Sequence, residues 1–222
     1  MGYEFDFGAL LQYTGLFLHG AAVTLGLTAV AGLLGVVLGI AGAAALAGKS
    51  VLLRRGIAAY VEFIRNTPFI VQMFFIFFGL PSLGFRLSAL QAAALAMTIN
   101  LTAYAIEIIR AGLEAVPAGQ GEAARSLGLR PLAIFGLIEL PQALANVYPA
   151  LVGQITITML ESAVVSQIAV VDLTHVADFI QSRNFRAFET YFAITVIYLV
   201  LALSLRWLMA LAGRRLFAGR AR

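Results

Sequence analysis

Four charged residues in otherwise apolar surroundings carry the first chemical signal of this sequence: Arg65, Glu107, Arg110 and Glu161. A charge at the centre of a bilayer costs about 2.5–3.5 kcal/mol on insertion scales, so four facing lipid would cost on the order of 10 kcal/mol. They are therefore expected to face protein or a water-filled cavity. Glu107 and Arg110 are three residues apart, a helical spacing at which they either pair with each other or serve a ligand together. Two polar stripes accompany them. Gln154, Thr158 and Glu161 recur at i, i+4 and i+7, and Asn100, Tyr104 and Glu107 repeat the same spacing. Stripes facing each other across a cavity could hold a zwitterion, with Arg110 forking onto a carboxylate and Glu161 taking an ammonium or a cationic side chain. Thr158 and Gln154 rank below these two. The alternative use of such stripes is to pack helix against helix through hydrogen bonds.

A second apparent signal is rejected. Residues 43–50, AAALAGKS, satisfy a relaxed phosphate-binding loop with alanine in place of the first glycine. Such a loop needs a buried strand before it and an acidic metal ligand on another strand. Here the match closes a long apolar run, and no strand-like acidic segment exists, so Lys49 is read as a topology anchor. Nor do the isolated His19 and His175 suggest a zinc site or proton relay, and the absence of cysteine excludes disulfides and thiolate metal centres.

The elements that must position these residues follow from composition. The chain has 222 residues, 61% hydrophobic and only 12% charged, too apolar for one soluble core. Its net charge of +4 sits beside apolar runs, which favours topology signals over nucleic-acid binding. With roughly 20 apolar residues needed per crossing, spans are expected over about 16–47, 63–80, 87–116, 138–171 and 190–212. The fourth is interrupted by Pro141 and Pro149 and is expected to be partly broken or re-entrant. The expected fold is an all-α membrane protein with about five transmembrane helices.

Orientation follows from the basic residues. Lys49, Arg54, Arg55, Arg125, Arg130, Arg214, Arg215, Arg220 and Arg222 fall in one set of connections; Arg86, Arg183 and Arg186 fall in the other, with Glu4, Asp6, Asp172, Asp178 and Glu189. This puts the amino terminus outside and the carboxyl terminus in the cytoplasm. The opening MGYEFDFGALL has acids where a signal peptide has a basic region, so no cleavage is expected. Gly32, Gly35, Gly39 and Gly42 mark a face of the first span suited to close helix packing.

The stretch 119–141, GQGEAARSLGLRPLAIFGLIELP, interrupts this pattern on the cytoplasmic side. Gly119 and Gly121 are expected to break the previous helix, Glu122 to sit in the first turn of a short new one, and Gly128 to end it before Pro131. So short a helix is marginal alone, and its small side chains favour docking on a partner over lying on headgroups.

Here the residues resemble a known family. Glu122-Ala123-Ala124, three residues, Gly128, nine residues and Ile138-x-Leu140-Pro141 resemble the EAA motif of permease subunits of bacterial ATP-binding-cassette importers. Arg65-Asn66-Thr67-Pro68 with Gln72, Ala103-Tyr104-x-x-Glu107-x-x-Arg110, and Val116-Pro117-x-Gly119-Gln120 are similar to signatures of the polar amino-acid branch. Late in the fourth segment the branch's usual Lys-Asp/Asn-Thr-Ser run is replaced by Leu160-Glu161-Ser162-Ala163.

The resemblance implies one permease domain over 1–222 of the type I importer kind, with residues 119–131 as a cytoplasmic coupling helix. Glu122, Ala123, Ala124 and Gly128 would then engage a separate ATPase chain. It implies no catalysis and no cofactor on this chain, with Mg-ATP on the ATPase. The implied partners are two ATPase subunits, a second permease, identical or paralogous, and an external binding protein, in a bacterial cytoplasmic membrane. The substrate-site candidates become Arg110, Glu161, Glu107, Thr158, Gln154 and Asn100, for a polar, cationic amino acid. The alternative is a secondary transporter or channel for small polar solutes; a secondary transporter would carry internal repeats and ion-coordinating residues in paired broken helices, and an intramembrane hydrolase would need a nucleophile with its base or an H-E-x-x-H motif. None of these patterns is found.

Overall fold

In hydrocarbon every backbone N–H and C=O must be satisfied within the chain, so long apolar segments have little choice but helix. The computed structural model describes residues 4–218, and all regular structure among them is helical. Arg220 and Arg222 of the topology count lie outside the described residues. Helix α1 (Thr14–Ala47) follows a 3-10 turn, Phe7–Tyr13, capped by Asp6, whose side chain accepts the Ala9 N–H. Then come α2 (Val51–Arg65), α3 (Phe69–Leu83), α4 (Ala89–Glu114), α5 (Ala118–Ser126), α6 (Pro131–Ile168), α7 (Leu173–Asn184) and α8 (Ala187–Leu216). Four helices (α1, α4, α6 and α8) are long and apolar enough to cross a membrane, and α2 with α3 can make a fifth crossing.

Three expectations are corrected. No single helix runs over 63–80: α2 ends at Arg65 and α3 begins at Phe69, the two bent by 109° and able to make one crossing only together. At 1.5 Å per residue, each member is only about 22 Å long and too short to cross alone. The bend is local chemistry. Asn66 and Thr67 turn their side chains back onto the carbonyls of Glu62 and Phe63, closing the end of α2. Pro68 sits at the cap of α3 with extended backbone, not inside a span. The charges of α2 hid it in the sequence, although Val61 and Ile64 form a buried face.

The fourth span is not broken at its prolines. A π turn, Phe135–Glu139, directly precedes the stretch Leu140–Glu161, which contains Pro149 and stays helical. It then tightens into a 3-10 end, Ser162–Ile168, where Ser162 and Ser166 donate to the carbonyls of Met159 and Ala163.

Finally, α5 begins earlier than expected. Pro117 ends the preceding segment and caps α5, so Gly119 and Gly121 lie within the helix and Glu122 is past its first turn.

The chain forms two compact units, one containing Pro68–Met97 and Thr156–Leu205 with the start of the chain through Ala31, the other Gly32–Thr67, Thr98–Ile155 and the segment from Arg206 onward. In the first unit Leu10, Phe17, Val176, Ala177, Ile180 and Ile194 form the apolar core. Beside it Asp172, with no exposed surface, caps α7: its Oδ1 accepts the His175 N–H at 2.9 Å and its Oδ2 the Tyr198 hydroxyl at 3.3 Å. Gly20 lets the α1 backbone approach, since a Cβ there would meet the Leu173 Cα at 2.9 Å.

Burial pushes the Asp172 carboxyl above its usual range, against the opposing pull of these hydrogen bonds. The native state then holds this proton more tightly than the unfolded chain. Its contribution to stability is greatest below the ordinary aspartate pKa and falls as pH rises through the elevated native value. Asp172→Asn is expected to keep the cap and flatten this slope; Asp172→Ala removes the titrating carboxyl as well as the cap, so it flattens the slope likewise and costs about 1 kcal/mol more than Asp172→Asn at any pH. Thermal unfolding in detergent across pH checks both; an unchanged slope in Asp172→Asn would remove Asp172 as its source.

In the second unit the glycine face of α1 packs on α4. A Cβ on Gly35 would meet Leu101 at 2.9 Å, one on Gly39 would meet the Ala105 Cβ at 2.6 Å, and one on Gly42 would run into Ile106. Gly39→Leu is expected to lower stability by about 1–3 kcal/mol through overpacking. Gly26→Leu, with nothing within 4 Å of the added Cβ, is the neutral control. Fluorescence-detected gel filtration after heating reads the difference; equal loss in both would contradict the packing.

Candidate functional site

The coupling segment is built from its carbonyls outward. Gly128, at φ 80, donates to Arg125 while Leu129 donates to Ala124, a Schellman closure that ends α5. The helix is held to its own unit on one side. Gly121 and Ala124 are buried; the Gly121 Cα is so close to Glu139 that a Cβ would lie 2.9 Å from its Oε1. Gln142 donates to Gln120. The other side is bare: Glu122, Ala123, Arg125, Ser126 and Gly128 are exposed. Of the four expected coupling residues, Ala124 therefore faces inward, at 3% exposure, and the other three face outward. Sequence reasoning passed over Leu127 and Leu132, which are 82% and 85% exposed. Two bare leucines beside a glycine-closed helix were the available signal.

AAALAGKS is the junction of two helices. Alpha-helix α1 ends at Ala47, and the Ser50 Oγ caps α2 by accepting the Leu53 N–H at 3.4 Å.

The intramembrane charges divide between the units. In the second, Arg110 donates to Glu107 and to Glu114, one turn on either side along α4. Arg65 at the end of α2 lies 3.8 Å from Glu107, with its guanidinium over the Tyr104 ring at 5.4 Å. Glu107 and Arg110 are thus paired, and the guanidinium fork is engaged by carboxylates of its own chain. Asn100 is buried on the same helix and Gln154 is half-buried on α6.

A cavity of about 520 Å³ opens beside Arg110, lined also by Arg54, Arg125, Glu114 and Glu139. Arg54 and Arg125 are among the basic residues that set the topology in sequence, and Glu139 is the variable position of the Ile138-x-Leu140-Pro141 motif.

In the first unit Thr158 is 1% exposed, and its hydroxyl has no hydrogen-bond partner among the described residues. Glu161 is half-buried at the last α-helical turn of α6, and no ion pair engages it among the described residues. Gln154, Thr158 and Glu161 keep their common stripe because that stretch is one continuous α-helix.

With regular structure that is all helical among its described residues, four apolar helices long enough to cross a membrane, a bent pair able to make a fifth crossing, and a short helix with a bare face between α4 and α6 in sequence, this chain has the architecture of a multi-span membrane protein. It belongs to the family described as binding-protein-dependent transport system inner membrane components, which it matches over residues 33–218. It is 33% identical, over 95% of its length and 97% of the relative's, to the arginine transport system permease protein ArtQ of Bacillus subtilis (strain 168). To the probable glutamine ABC transporter permease protein GlnM of the same organism it is 41% identical, over 66% of its own length and 68% of the relative's. Among solved structures, a crystal structure of an amino acid ABC transporter with histidines superposes at a TM-score of 0.86 with 40% identity, covering 96% of this chain and 100% of the other.

Proposed function

We propose that this chain is the membrane-spanning subunit of an ATP-driven importer of polar amino acids in a bacterial cytoplasmic membrane, one permease domain over 1–222 with residues 119–131 as its coupling segment. The observation that carries the reading is the bare face of α5: a short helix anchored through Gly121 and Ala124 while Glu122, Ala123 and Leu127 are held outward. A groove on an ATPase subunit would receive that face. ATP-driven closure of two such subunits would pull the segment and, through Glu139 and Gln142 at the start of α6, move the spans. Two permease copies or paralogues and an external binding protein complete the assembly.

Relatives and the structural neighbour carry names that include arginine, glutamine and histidines, which supports an amino acid as cargo. A cationic preference rests on Glu161, a carboxylate in an apolar span that pairs with no cation among the described residues. Thr158, with its unsatisfied hydroxyl one turn away, and Gln154 extend the same stripe. Arg110, Glu107 and Asn100 form the second group; there a substrate carboxylate would have to compete with Glu107 and Glu114 for the guanidinium.

Affinity purification from the native membrane tests the assembly. An ATPase chain is expected to copurify with the wild type and to be lost when Glu122 is replaced by Trp and Gly128 by Leu. Retention of the ATPase by that variant, or its absence from the wild type, would remove the coupling assignment.

A further inference from the structure

Beyond the transport path, the second unit contains a groove of about 740 Å³ between the middle of α6 and the end of α8. Its walls include Tyr148, Pro149, Gly153, Arg206, Trp207 and Arg214. Tyr148 fixes one end: its hydroxyl donates to the Met209 carbonyl at 2.7 Å, and its ring lies against Gly213, where a Cβ would collide with it. Phe217 closes over that ring at 5.3 Å between centroids. Beyond this contact the walls are small or apolar, while Trp207 is 64% exposed.

Among the described residues, two arginines and no acidic residue line this groove. Neither Arg206 nor Arg214 makes an ion pair among the described residues. Arg214 and Arg215 mark the basic, cytoplasmic end of α8. Arg206 is eight residues earlier, about 12 Å deeper along the helix, where an uncompensated charge is expensive. A long side chain at that depth relieves the penalty by extending toward the interface, where a phosphate would meet it.

We infer that the groove is a binding site for an anionic phospholipid of the cytoplasmic leaflet. The headgroup phosphate sits between Arg206 and Arg214, and an acyl chain runs along Trp207 and Gly153. Charge complementarity chooses this occupant. A second copy of the chain seated here about a two-fold axis would bring Arg206 and Arg214 against their own equivalents, which is repulsive. A free inorganic anion would leave the apolar walls uncovered, whereas a lipid satisfies both parts. The site is independent of what the chain carries.

Trp207 is the chain's only tryptophan, so its fluorescence reports on this groove alone. The full chain is reconstituted in phosphatidylcholine vesicles containing a minor fraction of phosphatidylglycerol, with bromine on the acyl chains of one lipid or the other at equal amounts. Brominated phosphatidylglycerol is expected to quench Trp207 well beyond brominated phosphatidylcholine, reflecting a roughly thirtyfold local enrichment from two arginines. The excess should vanish in R206Q/R214Q, persist in R206K/R214K, and be untouched by R215Q outside the groove. Equal quenching by both lipids in the wild type would overturn the inference, whatever the variants do. So would an excess that survives R206Q/R214Q, or a Trp207 that neither lipid reaches because another protein covers it.

Discussion

Replacing Leu127 by aspartate is expected to lower ATP-driven uptake by about a hundredfold while leaving the chain inserted and folded. The side chain is 82% exposed, so the substitution removes little from the subunit's own packing. In an apolar groove of a partner, by contrast, the same carboxylate would be buried without a cation. Central interface residues carry about 2–4 kcal/mol each, which sets that scale. Binding of the external protein and insertion should be unchanged. Normal copurification of the ATPase with Leu127→Asp would place the contact elsewhere on the segment.

The second large effect is expected at Glu161. Glu161→Gln keeps the shape and hydrogen-bonding capacity of the side chain but removes its charge. A charged hydrogen bond contributes about 1.5–3 kcal/mol, so uptake of arginine or lysine should fall by about tenfold or more, with uptake of neutral polar amino acids changed far less. The readout is competition between labelled arginine and unlabelled glutamine, which separates a charge effect from general damage. Unchanged uptake and selectivity for every amino acid would sink the assignment.

Much of the fold was readable because the bilayer is a demanding solvent. Four spans emerge from hydropathy alone, within a few residues for α1, α4 and α8. What failed did so where charge and apolar burial share one helix. Arg54 and Arg55 made α2 look like a loop, although Val61 and Ile64 give it a buried side. Pro149 looked like a break in α6, yet the helix continues through it, and the irregularity lies in the π turn just before Leu140. Proline reports a missing N–H, not how neighbouring turns absorb it.

The site was legible in a different way. The EAA spacing located α5, and Gly128 at positive φ ends it as expected. Which residues face outward was not legible, because Ala123 and Ala124 are chemically alike and only helix phase separates the exposed one from the buried one. Inside the membrane, the i, i+3 spacing of Glu107 and Arg110 allowed pairing, and the structure adds Arg65 and Glu114, which come from outside that spacing. Glu161 stood out in sequence as a lone acid in an apolar run, and it remains without an ion pair among the described residues after folding. The groove at Arg206 was invisible to a reading by spans, because its walls are contributed by helices far apart in sequence.

The most direct test of the central claim is uptake by proteoliposomes holding this chain with its copurifying ATPase and the matching binding protein outside. Labelled arginine and glutamine are supplied in turn, with ATP enclosed or omitted. Uptake is expected only with enclosed ATP and the binding protein, and it should fail when the ATPase is left out. Accumulation driven by an ion gradient through this chain alone would contradict the account.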